Sequence, residues 1–331
     1  MSPDEIATAD QQTDDSRNKL GVPTTLNSTH PSDFNNIKPF NFRIYSHNVK
    51  NAGNHDLVPG ELDWTERLVP LTASMRFNTM AENSIITLQE VYAFQMQDIL
   101  TRLNHQEPDK WTYYARGRID GDEMGEFVPI LWQDLEWELV YSDTMWLNEQ
   151  DPRSSLQGWD AVYSRIVSFV TLRHRKTKNY INVFNSHFDH IGVEAQIGSA
   201  ELILKKMSEL NKWPSFLCGD LNFEPNLEPY KKLTKQLVSS SELDGYKHGH
   251  SHSSVTGFKG EVLLDGGQNI DYIFAPKYAN TNDAESTGDL EPKNVDLRLY
   301  QFGMLHSKFN GRYMSDHRPI VADYIVRGTR Q

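Results

Sequence analysis

Two β-sheets packed face to face with helices outside form the α+β architecture that the sequence predicts. Three observations carry that prediction. From about Pro39 to about Val326 strand-like apolar runs and amphipathic stretches follow one another with no Pro/Gly/Ser-rich linker between them. The strand-like runs outnumber the helical ones, so strict βαβ alternation does not fit. Hairpin-like turns separate several of the strands, as in sheets that stack on one another.

The elements follow in order. Residues 42–48 and 84–90 read as strands, with Asn48 on the side of Phe42 and Ile44, and Glu90 on the side of Ile86 and Leu88. Between them residues 64–82 read as a helix, which Pro70 either delays or kinks. Tyr92, Met96, Ile99 and Leu103 recur at spacings of three and four, as do Ala200, Ile203, Met207 and Leu210. Both stripes are the core faces of helices, and neither Met96 nor Met207 has a cofactor role. Further strands are expected at residues 167–172, 180–188, 216–221, 270–274 and 320–325.

Composition narrows the class. A chain of 331 residues with 38% hydrophobic and 11% aromatic residues can bury a substantial core, and one domain over residues 39–326 is the economical division. No apolar run approaches the roughly 20 residues that span a bilayer. Cys218 is the one cysteine, so neither an intramolecular disulfide nor a thiolate metal site is available. Residues 1–38 are rich in Asp, Thr, Ser and Asn and lack a signal-peptide h-region. They read as a disordered tail on a cytosolic or nuclear protein, with a short tail at residues 327–331. The net charge of −12 argues against a non-specific nucleic-acid coat, but not against a nuclease, because carboxylates around metal ions add formal negative charge.

Polar groups gather at strand ends. Asn185, His187 and Asp189 continue one strand face, and Asp220 and Asn222 share another. Asn48, Glu90, Asp271 and the pair Asp316-His317 occupy similar positions. Singly, such residues are caps and turn formers. Together they supply what hydrolysis at phosphorus requires: carboxylates for a hard divalent cation, a group to prepare water, and donors where charge builds.

In their order along the chain, Asn48, Gln89-Glu90, Asn185-Ser186-His187, Gly219-Asp220-Leu221-Asn222, Ile270-Asp271-Tyr272 and Ser315-Asp316-His317 resemble the motifs of the endonuclease/exonuclease/phosphatase superfamily. The resemblance covers about residues 40–326. It implies the deoxyribonuclease I-like fold, a four-layer α/β/β/α sandwich of two mostly antiparallel sheets flanked by helices. Gly117-Arg118-Ile119-Asp120-Gly121, Gly125-Glu126-Phe127, Gly158-Trp159-Asp160 and Asp189-His190-Ile191-Gly192 are similar to a bacterial and fungal branch of it. Abasic-site endonucleases carry Asp two residues after the first Asn; Lys50 stands there in this chain, so abasic-site repair is not expected.

Carried over by position, the resemblance implies that Glu90, helped by Asn48, binds Mg²⁺ or Mn²⁺. Asp220 would prepare the attacking water, and Asn222 would donate to a phosphoryl oxygen. Asp271 would orient His317, which stabilises charge or protonates the leaving oxygen. Asp316 would support either a second metal or that histidine. His187 would contact the phosphate or act as acid, oriented by Glu126. Asn185 stands beside it as a substrate-binding or supporting residue.

Other residues divide between two readings. Arg118 could grip a substrate phosphate with both arms of its guanidinium or be an exposed turn residue. Trp159 could stack on a base or belong to the core. Asp189 and His190 read as supporting or loop residues. His248-Gly249-His250-Ser251-His252 reads as a solvated loop, and the basic run 173–178 as a hairpin tip.

The function expected is a Mg²⁺-dependent phosphodiesterase, acting on nucleic acid or a nucleotide by in-line attack of water. A phosphomonoesterase acting on a small phosphorylated metabolite is the second reading, such as a nucleotide, sugar or inositol phosphate. A catalytically silent binding module is the third. No membrane association is expected, and the protein is expected to be a monomer.

Overall fold

The computed structural model describes residues 37–53, 55–108, 110–259, 267–281 and 295–328. The tail expected at residues 1–38 lies outside this set apart from its last two residues, of which Ile37 already joins the core. In chain order the elements begin with β1 (Phe40–Asn48), α1 (Trp64–Asn78), β2 (Ser84–Gln89), α2 (Ala93–Leu103), β3 (Trp111–Tyr114) and β4 (Ile130–Gln133). Next come β5 (Trp137–Trp146), β6 (Ile166–His174), β7 (Tyr180–His187), α3 (Val193–Leu210), β8 (Ser215–Asp220) and α4 (Glu228–Leu233). The remainder are β9 (Leu237–Ser239), β10 (Tyr246–Gly249), β11 (Asp271–Pro276), β12 (Val295–Met304), β13 (Lys308–Phe309), β14 (Arg312–Tyr313) and β15 (Ile320–Gly328).

One main sheet has seven strands in the order β10-β12-β15-β1-β2-β4-β3, the other has six in the order β5-β6-β7-β8-β11-β9, and β13 and β14 form a separate two-stranded ribbon. The pairs β1–β2, β7–β8 and β10–β12 are parallel, and the other pairings are antiparallel. Apolar residues fill three layers. Phe42, Ile44, Trp137, Val183, Phe216 and Tyr324 pack between the sheets. Leu71, Met75, Met96, Ile99, Ile86 and Leu88 pack under α1 and α2. Phe184, Leu217, Ile203, Met207 and Leu210 pack under α3. Three apolar layers require four structural ones, so the α/β/β/α sandwich expected from the sequence is the observed fold.

The parallel pairs matter most for function. A parallel pair needs a long crossover, supplied by α1 between β1 and β2 and by α3 between β7 and β8. Each crossover brings the carboxyl ends of its two strands side by side. Asn48 and Gln89 are register partners in one sheet, and His187 and Asp220 are partners in the other.

Some elements depart from the expectation. α1 tolerates Pro70 in its interior but stops at Asn78, where the Thr79 amide and hydroxyl both return to Met75 O (2.9 and 2.6 Å). His248 and Gly249 belong to the edge strand β10 rather than to a loop. The basic run is the β6–β7 hairpin tip as expected, although His174 turns inward to Thr177 and Asn83. β15 runs two residues past the expected domain end. Among the described residues no helix is long and apolar enough to cross a membrane.

Candidate active site

Asp220 closes β8 and is the hub of the site. It is 2% exposed, and its Oδ2 lies 3.6 Å from His187 Nε2 and 3.7 Å from His317 Nε2. Asn48 Nδ2 donates to the same oxygen (2.9 Å) and to Glu90 Oε1 (3.0 Å), tying the two sheets together at their carboxyl ends. His317 Nδ1 bonds Asp271 Oδ2 at 2.9 Å, forming a carboxylate–imidazole dyad aimed at Asp220.

Local backbone explains why these groups converge. Gly219 has φ +144°, and a Cβ there would lie 1.9 Å from Ser186 O, so only glycine lets β8 run this close to β7 just before Asp220. Glu90 follows β2 with φ +57°. Strand alternation places it with Ile86 and Leu88, which face α1 and α2. The left-handed turn takes it off that face and into the site instead, where Lys50 and Asn51 also meet it. The expected side for Glu90 is therefore corrected, and its membership of the site stands. Asn222 also adopts a left-handed turn, φ +55°, so β8 ends before it rather than carrying it on the face of Asp220.

The loop of residues 315–317 is fastened to β1. Ser315 Oγ donates to Asn48 O (2.6 Å) and accepts from His317 N (3.2 Å). His47, on the opposite face of β1 from Asn48, donates through Nε2 to His317 O (3.1 Å). Burial pushes this imidazole down to about 3, which keeps it a neutral donor. The Arg67 guanidinium gathers Val49 O, Lys50 O and Met314 O, joining α1 to both loops.

Protonation follows from burial and neighbours. Burial pushes the Asp220 carboxyl up to about 7, against the pull of charged His317 and with the push of Asp271. Burial by itself would lower His317, but Asp271 and Asp220 hold it well above its ordinary value. His187 is driven well below its ordinary value, by burial first and by the Arg165 charge next. Burial opposes ionisation of Glu90, yet the neighbouring His187 and Lys50 and the Asn48 amide keep it lower than usual. Glu126 and Asp316 are both raised, mainly by burial.

Several expected residues take places that refine their roles. Asn48 turns its amide nitrogen to both carboxylates while its Oδ1 accepts from Lys50 N (3.0 Å), so it braces Glu90 instead of presenting an oxygen beside it. Asn222 sends one Nδ2 hydrogen to Phe188 O (3.0 Å), and its own amide N–H bonds Asp220 Oδ1 (3.1 Å). Asn185 is fully buried between the sheets, accepting from Gln89 and donating to Leu88 O and Pro129 O. It is a strut between β7 and the other sheet. Asp316 is joined to the cluster through Ser315, whose hydroxyl lies 3.3 Å from its Oδ1.

Arg118 NH1 bonds Glu126 Oε2 at 2.9 Å, and the same oxygen lies 3.8 Å from His187 Nδ1. Asp189 accepts from the amides of Val162, Tyr163, Ile191 and Gly192, as expected of a loop residue. Trp159 packs its indole on α3: a Cβ at Gly198 would lie 2.1 Å from that ring. Sequence reasoning passed over Asn51, whose Nδ2 bridges Glu90 (2.7 Å) and Glu126 (3.2 Å), and the buried Arg165. The signal for Arg165 was a cation directly ahead of an apolar strand.

The donor set suits a divalent cation. Glu90, His187 and Asp220 each offer one ligand atom, and these atoms lie within 4.8 Å of one another; Asp220, Asp271 and His317 do likewise. Glu90 and Asp220 converge on one amide nitrogen, and carboxylate oxygens gathered in this way are the donors that oxygen-seeking divalent ions favour.

No protein-family model and no curated protein matches the chain. Solved structures do. An endonuclease/exonuclease/phosphatase family protein from Bacteroides thetaiotaomicron is similar at TM-score 0.73 and 24% identity, over 87% of this chain and 98% of that one. A mannosyl-6-phosphatase from the same organism is similar at TM-score 0.70 and 24% identity, over 87% of this chain and 100% of that one. D. rerio TDP2, complexed with a single-strand DNA product, is similar at TM-score 0.60 and 16% identity, over 86% and 98%. The fold is that of the endonuclease/exonuclease/phosphatase superfamily, as the motifs implied.

Proposed function

We propose that this protein is a divalent-metal-dependent phosphoesterase that hydrolyses a P–O ester bond by in-line attack of water. The observation that carries the proposal is the buried hub at Asp220, reached within 3.7 Å by His187 and His317 and braced to Glu90 through Asn48. Glu90 and Asp220, with His187 beside them, would hold the ion. A bound Mg²⁺ or Mn²⁺ supplies positive charge to the phosphoryl and leaving oxygens.

The chain's own residues do the rest. Asp220, poised near neutral pH by its burial, orients a water and accepts its proton as the water oxygen bonds to phosphorus. His317, held by Asp271, stays protonated and donates to a phosphoryl oxygen as charge builds there. The second Nδ2 hydrogen of Asn222 offers a further donor. As the P–O bond to the leaving group breaks, a proton returns to the leaving oxygen, giving an alcohol and a phosphate. His187 is suited to contact the phosphate through the nitrogen it turns to the hub.

Two substrate classes remain to be separated. A phosphodiester in nucleic acid or a nucleotide is the first, supported by the fold shared with TDP2. A phosphomonoester on a small metabolite is favoured by the greater similarity to a mannosyl-6-phosphatase and by the net charge of −12, which repels polyanions. Metal-dependent release of inorganic phosphate from a panel of sugar, nucleotide and inositol phosphates should be measured beside cleavage of labelled RNA and DNA oligonucleotides. Chelator and His317→Ala should abolish the true reaction. Absence of metal-dependent turnover on every ester would leave the silent binding module as the reading.

A further inference from the structure

One charged group near the hub has almost no hydrogen-bond partner. Arg165 directly precedes β6, is 6% exposed, and carries five N–H donors. Among the described residues its one contact within hydrogen-bond length is from NH2 to His190 Nδ1 at 3.5 Å, and its buried Nε bonds to none of them. Asp189 balances its charge from 3.9 Å, but the Asp189 oxygens are taken by four backbone amides. Glu126 Oε2 is 4.0 Å from Arg165 NH1 and is already claimed by Arg118 at 2.9 Å. A buried guanidinium left this way loses its hydration without recovering it from protein, which is costly unless a ligand completes the shell.

The surroundings say what that ligand is. On the far side of Glu126 stands His187, whose Nδ1 is also buried without a partner, and His187 leads directly to Asp220. Arg165 and Arg118 both stack against Tyr163, with Cζ 5.7 and 5.0 Å from the ring centre, and His190 stacks on the same ring at 5.9 Å. The exposed Tyr163 and His190 therefore form a lip that fixes the Arg165 fork in one plane.

We propose that Arg165 is a catalytic residue that grips two non-bridging oxygens of the transferred phosphoryl group, which makes a phosphomonoester dianion the preferred substrate. The proposal rests on the phosphoesterase reading above. A monoester has three terminal oxygens, enough to engage the metal-side groups and still present two to a planar fork. A diester has two, and one fewer negative charge. Arg118 does not compete for this role because it is spent neutralising Glu126.

The test compares p-nitrophenyl phosphate with methyl p-nitrophenyl phosphate, which share a leaving group, in the full-length protein with Mg²⁺ or Mn²⁺. Wild type should prefer the monoester. Arg165→Gln should lose about 100-fold in kcat/KM on the monoester, the scale of one transition-state donor, and far less on the diester. Free guanidinium ion should restore part of the loss. Arg165→Lys, which keeps the charge without the fork, should fall between and serves if the Gln variant fails to fold by circular dichroism. Binding of inorganic phosphate to chelator-treated protein, followed by calorimetry, should weaken at least tenfold in either variant.

A folded variant with unchanged monoester preference and unchanged phosphate binding overturns the role of Arg165. If wild type turns over neither ester, the phosphoesterase reading fails instead, and the phosphate titration still decides whether Arg165 holds an anion.

Discussion

At the scale of single residues, the site depends on charges held out of water by one another. Asp220→Ala or His317→Ala removes a group that acts mainly in the transition state, so turnover should fall by roughly 10²–10⁴-fold in a chain that still folds at the assay temperature. Steady-state kinetics beside a circular dichroism melt checks both halves; a folded variant at full activity excludes that residue from the mechanism. Glu90→Gln keeps the shape and removes the charge. It should shift the Mg²⁺ activation curve to higher concentration, and an unmoved curve with an unmoved maximum would show that the ion is held elsewhere. Residue identities of this kind were legible in the sequence, because Asp, His and Glu at strand ends are few and their order is distinctive. The direction of Glu90 was not, since alternation pointed it under the helices and one left-handed residue reversed it.

At the scale of elements, the β7–β8 pair sets the distance between His187 and Asp220. Gly219 makes that pairing, with a positive φ and with Ser186 O where a side chain would begin. Gly219→Ala should lower stability by roughly 1–3 kcal/mol from backbone strain alone and reduce activity as Asp220 moves. Urea denaturation with a kinetic assay measures both, and a variant as stable and active as wild type would mean that β8 can shift freely. The helices illustrate a related point. The stripes Met96-Ile99-Leu103 and Ile203-Met207-Leu210 were readable as core faces because helical spacing is a local property. That α1 would end at Asn78, or that His248 would pair with β12, depended on partners far along the chain.

At the scale of the whole molecule, two sheets converge negative charge on one end of the sandwich, and stability should depend on pH and metal together. Asp220 has its folded value raised from an ordinary carboxylate to about 7, and His317 is raised above its ordinary value. Both are groups whose contribution is complete below their unfolded values and is lost as pH rises through the folded ones. Chelated protein should therefore lose thermal stability as pH rises from about 5 to 8, and Asp220→Asn should flatten the trend. Added Mg²⁺ or Mn²⁺ should recover more stability at pH 8 than at pH 6, because the ion competes with protons for the same carboxylates. Scanning calorimetry across that range, with and without metal, reads the prediction; a flat chelated profile would show that the hub carries no such cost.

The sequence by itself determined seven of the strands and the three longer helices, two packed sheets with helices outside, and the residue types gathered at the strand ends. Periodicity, turn chemistry and the Asp/His/Asn motifs are local, and they survive being read in one dimension. Tertiary structure decided the rest. Asn185 is a strut because the opposite sheet supplies Gln89 and two carbonyls, Trp159 is a packing residue because α3 offers Gly198 beneath it, and Arg118 is occupied because Glu126 reaches it first. Arg165 went unnoticed because a lone arginine ahead of a strand is a weak signal. Only when the loops closed around it did its position beside His187 and its unused donors acquire meaning, since hydrogen-bond satisfaction is a property of the space around a residue and not of the residues before and after it.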